Sequence, residues 1–201
     1  MARTQAADFE ERRMAIVEQA ATLFAERGFL GASIADLAQA CGISKSLVYH
    51  YYAAKEDILF DVMHSHVKAL LDAAEEIAEQ PIAAAERLRA ITAAFMRLYI
   101  GAASRQRVLL NELQSLPKSR RMIVVGVQRR LINIVQAILL EIRPQLSRHS
   151  PLKRPAAMLY FGMVNWTHTW LDPEGRANPS KIAELAANIF LKGIEKSEIP
   201  E

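Results

Sequence analysis

The chain reads as an all-α protein of about nine helices, and three observations carry this reading. Apolar residues recur at helical spacing along almost the whole length. No stretch shows the sustained apolar–polar alternation and β-branched enrichment that a strand needs. Breakers sit between the periodic segments: Gly28, Gly42, Pro81, Pro117, Pro144, Pro151 and the turn at Asp172, Pro173, Glu174 and Gly175.

The elements follow in order. The first helix runs roughly from Asp8 to Arg27, with Ile16, Ala20, Leu23 and Phe24 on one face and Gly28 as its terminator. The second spans Ser33 to Ala40, the third Ser44 to Tyr51, and the fourth starts near Lys55 and stops before Pro81. Later helices are expected over Ile82 to Ile100, Arg105 to Ser115, Lys118 to Ile142, Leu152 to Leu171 and Pro179 to Gly193. No internal repeat breaks this plan.

With 201 residues, 51% of them hydrophobic, the chain can bury a sizeable core in one compact domain or two small ones. No uninterrupted apolar run reaches the roughly 18 residues that a membrane span needs. The first ten residues lack the basic-then-apolar order of a secretory signal, so the expectation is a cytoplasmic protein without membrane contact. The single cysteine, Cys41, excludes an internal disulfide and reads as a small buried side chain.

The net charge of +3 is distributed unevenly. Residues 1–55 carry six basic and six acidic side chains, and residues 56–96 carry three against eight. Residues 97–154 carry twelve against two, and the remainder four against six. The basic excess therefore lies mid-chain, so global charge is no argument for a nucleic-acid surface near the N-terminus.

The segment Ala32 to Lys55 carries the most specific local signal. Ser33 and Asp36 have the spacing of a capping box, which starts the second helix sharply. Ile34, Leu37, Ala38 and Cys41 then share a face, Gly42 permits a left-handed turn, and Ser44 caps the third helix. This is the grammar of a helix-turn-helix. Val48 and Tyr52 share a stripe with Ile43, while Lys45, Ser46, Leu47, Tyr49, His50 and Tyr51 project elsewhere. Most of that outer face can hydrogen-bond, as a helix entering a major groove requires, and Leu47 suits a thymine methyl.

From Ile16 to Leu59 the chain resembles the TetR family of one-component transcriptional regulators. The resemblance rests on A-E-R-G-F at 25–29, S-I-A-D-L-A at 33–38, C-G-I-S-K-S-L-V-Y-H-Y-Y at 41–52 and K-E-D-I-L at 55–59. Tyr49, Tyr52 and Lys55 stand at the positions of the family's aromatic and lysine hallmark. The resemblance implies a helix-turn-helix DNA-binding domain over 1–54 and a helical effector-binding and dimerisation domain over 55–201. It implies Lys45, Ser46, Leu47, Tyr49 and His50 near bases or phosphates, with Ser33, Ser44, Tyr51 and Lys55 clamping the DNA backbone. One departure stands out: Ala53 and Ala54 replace the usual Pro-Ser, which removes a helix-four cap that Glu56 and Asp57 offset in part. The N-terminal segment with Arg3, Arg12 and Arg13 either forms a solvated arm or reaches an adjacent groove or phosphate.

The last two helices carry matching apolar stripes. One holds Met158, Phe161, Gly162, Asn165, Trp166, Thr169 and Trp170, and the other holds Ile182, Leu185, Ala186, Ile189 and Phe190. They suit a homodimer four-helix bundle or, alternatively, an intramolecular core. Residues 160–176, Y-F-G-M-V-N-W-T-H-T-W-L-D-P-E-G-R, and the ending F-L-K-G-I are similar to TetR-type regulators of fatty-acid, aromatic-acid or steroid breakdown, several of which respond to acyl-CoA thioesters. An acyl-CoA needs cations for its phosphates and an apolar cavity for its tail. Arg105, Arg107, Lys118, Arg120, Arg121, Arg129 and Arg130 are candidates for the first role. Phe95, Tyr99, Leu113, Met122, Val125, Tyr160, Met163 and Trp166 are candidates for the second. The same arginines also fit a solvated face, and an uncharged hydrophobic effector is the alternative ligand.

No catalytic constellation is visible, so an enzyme is not expected. His50, His64, His66, His149 and His168 form no H-E-x-x-H pattern, and neither a Gly-rich phosphate loop nor a G-x-S-x-G elbow occurs. No metal or cofactor is expected either, since His64 and His66 lie two apart on one helix and point to different faces.

Overall fold

The computed structural model describes residues 2–146, 151–172, 175 and 178–196, with side chains from residue 7 onward. The side chain of Arg3, together with His149, Pro173 and Glu174, lies outside the described residues. The described elements are helical throughout. They are α1 (Ala2–Gly31), α2 (Ile34–Ala40), α3 (Lys45–Tyr51), α4 (Lys55–Ala78), α5 (Ala84–Gly101), α6 (Ala103–Asn111), α7 (Lys118–Ile142), α8 (Lys153–Asn165) and α9 (Pro179–Lys196), with 3₁₀ turns at Leu113–Ser115 and Trp166–Thr169.

Packing divides the chain into two compact units. The first comprises residues 1–67 and 104–125, the second 68–103 and 126–201, so α4 and α7 each give residues to both. The compact units therefore do not coincide with the boundary expected at 54/55, because the first half of α4 packs with the head. Ile58, Leu59, Val62 and Met63 are fully buried in the first unit together with Ile16, Ala20, Ala21 and Phe24 of α1.

Several helix ends depart from the sequence reading for identifiable reasons. Gly28 ends the regular part of α1 as expected, at φ 73 and ψ 159, yet helical turns resume as far as Gly31. That backbone region is open almost only to glycine. Phe24 and Phe29 meet edge to face across the kink, at 5.4 Å between ring centroids. The eighth helix stops at Asn165 rather than continuing to Leu171. The Thr167 hydroxyl donates to the Val164 carbonyl at 2.6 Å and the Thr169 hydroxyl to the Trp166 carbonyl at 2.8 Å. Such side-chain bonds to nearby backbone compete with helix continuation and tighten the turn.

The second unit is built around α5, which packs along α9 and also meets α8. Phe95, Ile91, Leu88 and Tyr160 are fully buried there. The Tyr160 hydroxyl lies 2.9 Å from that of Thr92, which in turn donates to the Leu88 carbonyl at 2.7 Å. Burial pushes the Tyr160 phenol well above its ordinary value, so it stays neutral.

Helix α7 is, by length and composition alone, apolar enough to cross a membrane, yet Arg129 and Arg130 interrupt its apolar run, so it holds no uninterrupted run of about 18 residues. Its inward residues Leu131, Val135, Ile138 and Leu139 belong to the core of the second unit, which accounts for the apolar content.

Gly28→Ala should destabilise the protein by about 1–3 kcal/mol, because alanine is strained at this φ and ψ. Its Cβ would also approach Glu112 Oε1 to 3.3 Å. Urea unfolding of wild type and variant measures the difference.

Candidate nucleic-acid interface

The head is assembled from short elements whose ends are fixed by side chains. Ser33 caps α2: its hydroxyl accepts the Asp36 amide at 3.1 Å, and Asp36 Oδ2 accepts the Ser33 amide at 2.9 Å. The hydrogen bonds from Ser33 hold the Asp36 carboxyl below its ordinary value. Gly42 takes φ 64 in the turn. Ser44 then caps α3, its hydroxyl accepting the Leu47 amide at 3.1 Å. At the start of α4 Asp57 Oδ2 accepts the Ala54 amide at 3.1 Å, the reciprocal half of a capping box, which offsets the missing cap in part.

Buried contacts set the attitude of α3. Val48 is fully buried and Tyr52 nearly so. The Tyr52 hydroxyl donates to Asp61 Oδ2 at 2.7 Å, and the Arg13 guanidinium donates to the same oxygen. Burial and the bond to Asp61 push the Tyr52 phenol above its ordinary range, keeping it a donor. Arg13 is therefore tied into the head and is not part of a solvated arm.

With Val48 inward, Lys45, Ser46, Tyr49 and His50 are exposed on α3, while Leu47 and Tyr51 are half-buried. Tyr49 is 55% exposed. Ser33 and Ser44 are exposed, with their hydroxyls engaged as caps. Lys55 is placed differently. Its ammonium donates to the carbonyls of Phe29 and Ala32, each at 2.8 Å, and sits 4.2 Å from the centre of the Phe29 ring. Two of its three protons are thus committed to the turn between α1 and α2, which leaves one for a phosphate. Sequence reasoning missed this role, because nothing in residues 29–55 marks those carbonyls as acceptors.

A second polar group lies deeper in the first unit. His66 and Gln106 are buried, with Nε2 to Oε1 at 2.8 Å, so the imidazole donates from Nε2. Beside them Arg105 makes two bonds to Glu18 Oε2, from Nε at 2.9 Å and Nη2 at 2.5 Å, and a third to Ser65 Oγ at 3.3 Å. Burial holds the His66 ring below its ordinary value.

The residues proposed for an effector divide between the units. The first holds Arg105, Arg107, Leu113, Arg120, Arg121, Met122 and Val125; the second holds Phe95, Tyr99, Arg129, Tyr160, Met163 and Trp166. Several of the cations are already engaged. Arg120 pairs with Asp57 and lies over the Phe60 ring, Arg121 donates to Gln114 at 2.7 Å, and Arg130 pairs with Glu75. Arg107, Lys118 and Arg129 are exposed. Phe95, Tyr99 and Tyr160 are buried, and the Tyr99 hydroxyl donates to Asn165 at 2.7 Å. Trp166 is 65% exposed, as are Met122 and other large apolar side chains to similar degrees. A cavity of about 380 Å³ between α5 and α9 is lined by Ile82, Glu86, Arg89, Ala90, Ala93, Ser180 and Glu184, none of them a sequence candidate. Its walls come from residues about a hundred positions apart, a proximity that no local pattern announces.

The two apolar stripes of the last helices split in the structure. Phe161 of α8 is buried, but on α9 the buried residues are Ala183, Ala187 and Leu191, outside the expected stripe, of which Ile182 and Phe190 pack against the core. Met158, Leu159, Trp166, Trp170, Leu185 and Ile189 remain exposed.

Two consequences are testable in solution. Lys55→Ala should lower head stability by about 2 kcal/mol, since hydrogen bonds from a charged donor to two carbonyls are lost; chemical denaturation of the purified protein reads it. His66 contributes stability that is present above its unfolded pKa and lost as pH falls, because the folded state holds the neutral ring. Stability should therefore drop as pH falls below the ordinary histidine value of 6.5, and His66→Gln should flatten that dependence.

Comparison with known proteins agrees with the geometry. Residues 16–62 match the family profile described as bacterial regulatory proteins, tetR family, and residues 81–194 match the tetracyclin repressor-like C-terminal domain. A TetR-family regulator from Bordetella parapertussis superposes with a TM-score of 0.86 at 35% identity, over 94% of this chain and 98% of that one. AibR, solved with isovaleryl coenzyme A and operator DNA, superposes at 0.78 with 25% identity, over 89% and 97%. The fatty acid metabolism regulator protein of Bacillus subtilis is 22% identical over 183 residues, covering 90% of this chain and 94% of its own. The chain belongs to the TetR family of DNA-binding transcriptional regulators and is not an enzyme.

Proposed function

We propose that the protein is a homodimeric repressor that leaves a palindromic DNA operator when a small effector binds, acting in the cytoplasm, where the chromosome is. The observation that carries the DNA part is the outer face of α3. Lys45, Ser46, Tyr49 and His50 stand exposed on a helix whose inner face and N-terminus are fixed by Val48, Tyr52 and the Ser44 cap. Residues 1–54 are read as the DNA-binding part and 55–201 as the effector and dimer part. Two copies of α3 would enter successive major grooves about 34–36 Å apart.

The exposed apolar side chains of α8 and α9, Met158, Leu159, Leu185 and Ile189, supply the dimer surface, which a two-fold bundle of helix pairs would bury. The effector is read as an acyl-CoA thioester, supported by the isovaleryl coenzyme A in the AibR complex and by the similarity to a fatty-acid regulator. Arg107, Lys118 and Arg129, which stand exposed, are the better candidates for its phosphates. An uncharged hydrophobic effector is the second reading, favoured by the ion pairs that already occupy Arg105, Arg120 and Arg130. Release follows if the effector prefers the conformation that does not fit the operator; effector and DNA then weaken each other reciprocally.

The discriminating measurement uses isovaleryl-CoA, coenzyme A alone and a free branched fatty acid. The thioester should raise the melting temperature and weaken operator binding by about 5–150-fold, the usual span of allosteric coupling. If only the free acid does both, the acyl-CoA reading is abandoned.

A further inference from the structure

The family profile for the head begins at Ile16, whereas α1 begins at Ala2 and is helical over the whole preceding stretch. That stretch touches α3. The ring of Phe9 lies 4.6 Å from that of Tyr51, tilted by 31°, and 6.3 Å from that of His50, nearly perpendicular at 77°. His50 and Tyr51 themselves stand edge to face at 5.5 Å. The three rings close a triangle in which only Phe9 comes from outside α3. One turn further along α1, Arg12 lines a cavity of about 180 Å³ together with Leu47 and Tyr51.

An exposed histidine on a helix has several staggered orientations open to it. Reading a base edge requires the side chain to be held within about 0.5 Å of its productive position. Edge-to-face and tilted ring contacts favour particular orientations because the ring edge is positive and the face negative. Phe9 is itself 38% exposed and outside the buried core of the head, so core packing does not explain its position.

We propose that Phe9 is a positioning residue for sequence recognition: from the extension of α1 it fixes Tyr51 and His50 in the orientation with which the last turn of α3 meets the operator. This rests on the reading that the outer face of α3 contacts bases. The role makes Phe9 a determinant of which base pair is preferred at that end of the half-site, without contact of its own to a base.

The test selects preferred duplexes from a random-sequence pool with the full-length protein, then compares wild type, Phe9→Ala, Phe9→Tyr and His50→Ala. Phe9→Ala should keep the wild-type melting temperature and affinity for random duplex. Its affinity for the selected duplex should fall about 5-fold, the equivalent of one aromatic contact. Its base preference should relax at the same position as in His50→Ala, and Phe9→Tyr should restore both. If His50→Ala relaxes the preference and Phe9→Ala does not, the positioning role is overturned while the reading of α3 stands. If neither variant changes it, both fall. Equal loss of selected and random binding, with a lower melting temperature, makes Phe9 a packing residue and also overturns the proposal.

Discussion

Helix α3 is seven residues long, and a helix of that length does not persist alone in water. Its existence depends on what surrounds it: the Ser44 cap at one end, Val48 beneath it, and the Tyr52 hydroxyl bound to Asp61 at the other. Asp61 is the hinge of that arrangement, since the same carboxylate oxygen also receives Arg13 from α1. One oxygen therefore joins three elements of the head, and the orientation of the reading surface is inherited from α1 and α4. A half-buried carboxylate with two donors is satisfied; with either removed it keeps its desolvation cost and loses its compensation.

The charge distribution acquires a different meaning once the side chains are placed. The basic segment 97–154 looked like a reservoir for an anionic ligand, yet Arg105, Arg120 and Arg130 are neutralised by Glu18, Asp57 and Glu75. These acids come from the head and from the acidic stretch 56–96. Part of the imbalance along the sequence is thus the two halves of intramolecular pairs, read one at a time. Exposed pairs of this kind contribute little to stability. Arg105 differs, being largely buried and bonded to both Glu18 and Ser65.

The fold was legible because it follows from local rules. The capping box at Ser33 and Asp36, the turn at Gly42 and the apolar spacing of each helix are written in neighbouring residues. What escaped was set by partners far away in the chain or by competition at a helix end. The role of Lys55 depends on carbonyls 23 and 26 residues earlier. The early end of α8 depends on the bonds that the Thr167 and Thr169 hydroxyls make to carbonyls three residues earlier, in competition with helix continuation. In the candidate interface the outward residues of α3 could be read from periodicity, while the arrangement of Phe9 against Tyr51 and His50 could not, because α1 lies beyond any periodic neighbourhood. For the effector residues periodicity gave faces but not depth, which is why Tyr160 and Trp166 ended at opposite extremes of burial.

Trp166 and Trp170 are the only tryptophans in the chain, and both are more than half exposed at the end of α8. All indole emission from this protein therefore originates in one patch of its surface. The core and the head are optically silent in that channel, lit only by tyrosine. Any molecule that covers this patch moves both indoles from water into a less polar setting and shifts the whole spectrum to the blue. The protein thus carries a built-in optical gauge of what lies against α8, one that reads association separately from the loss of the folded core.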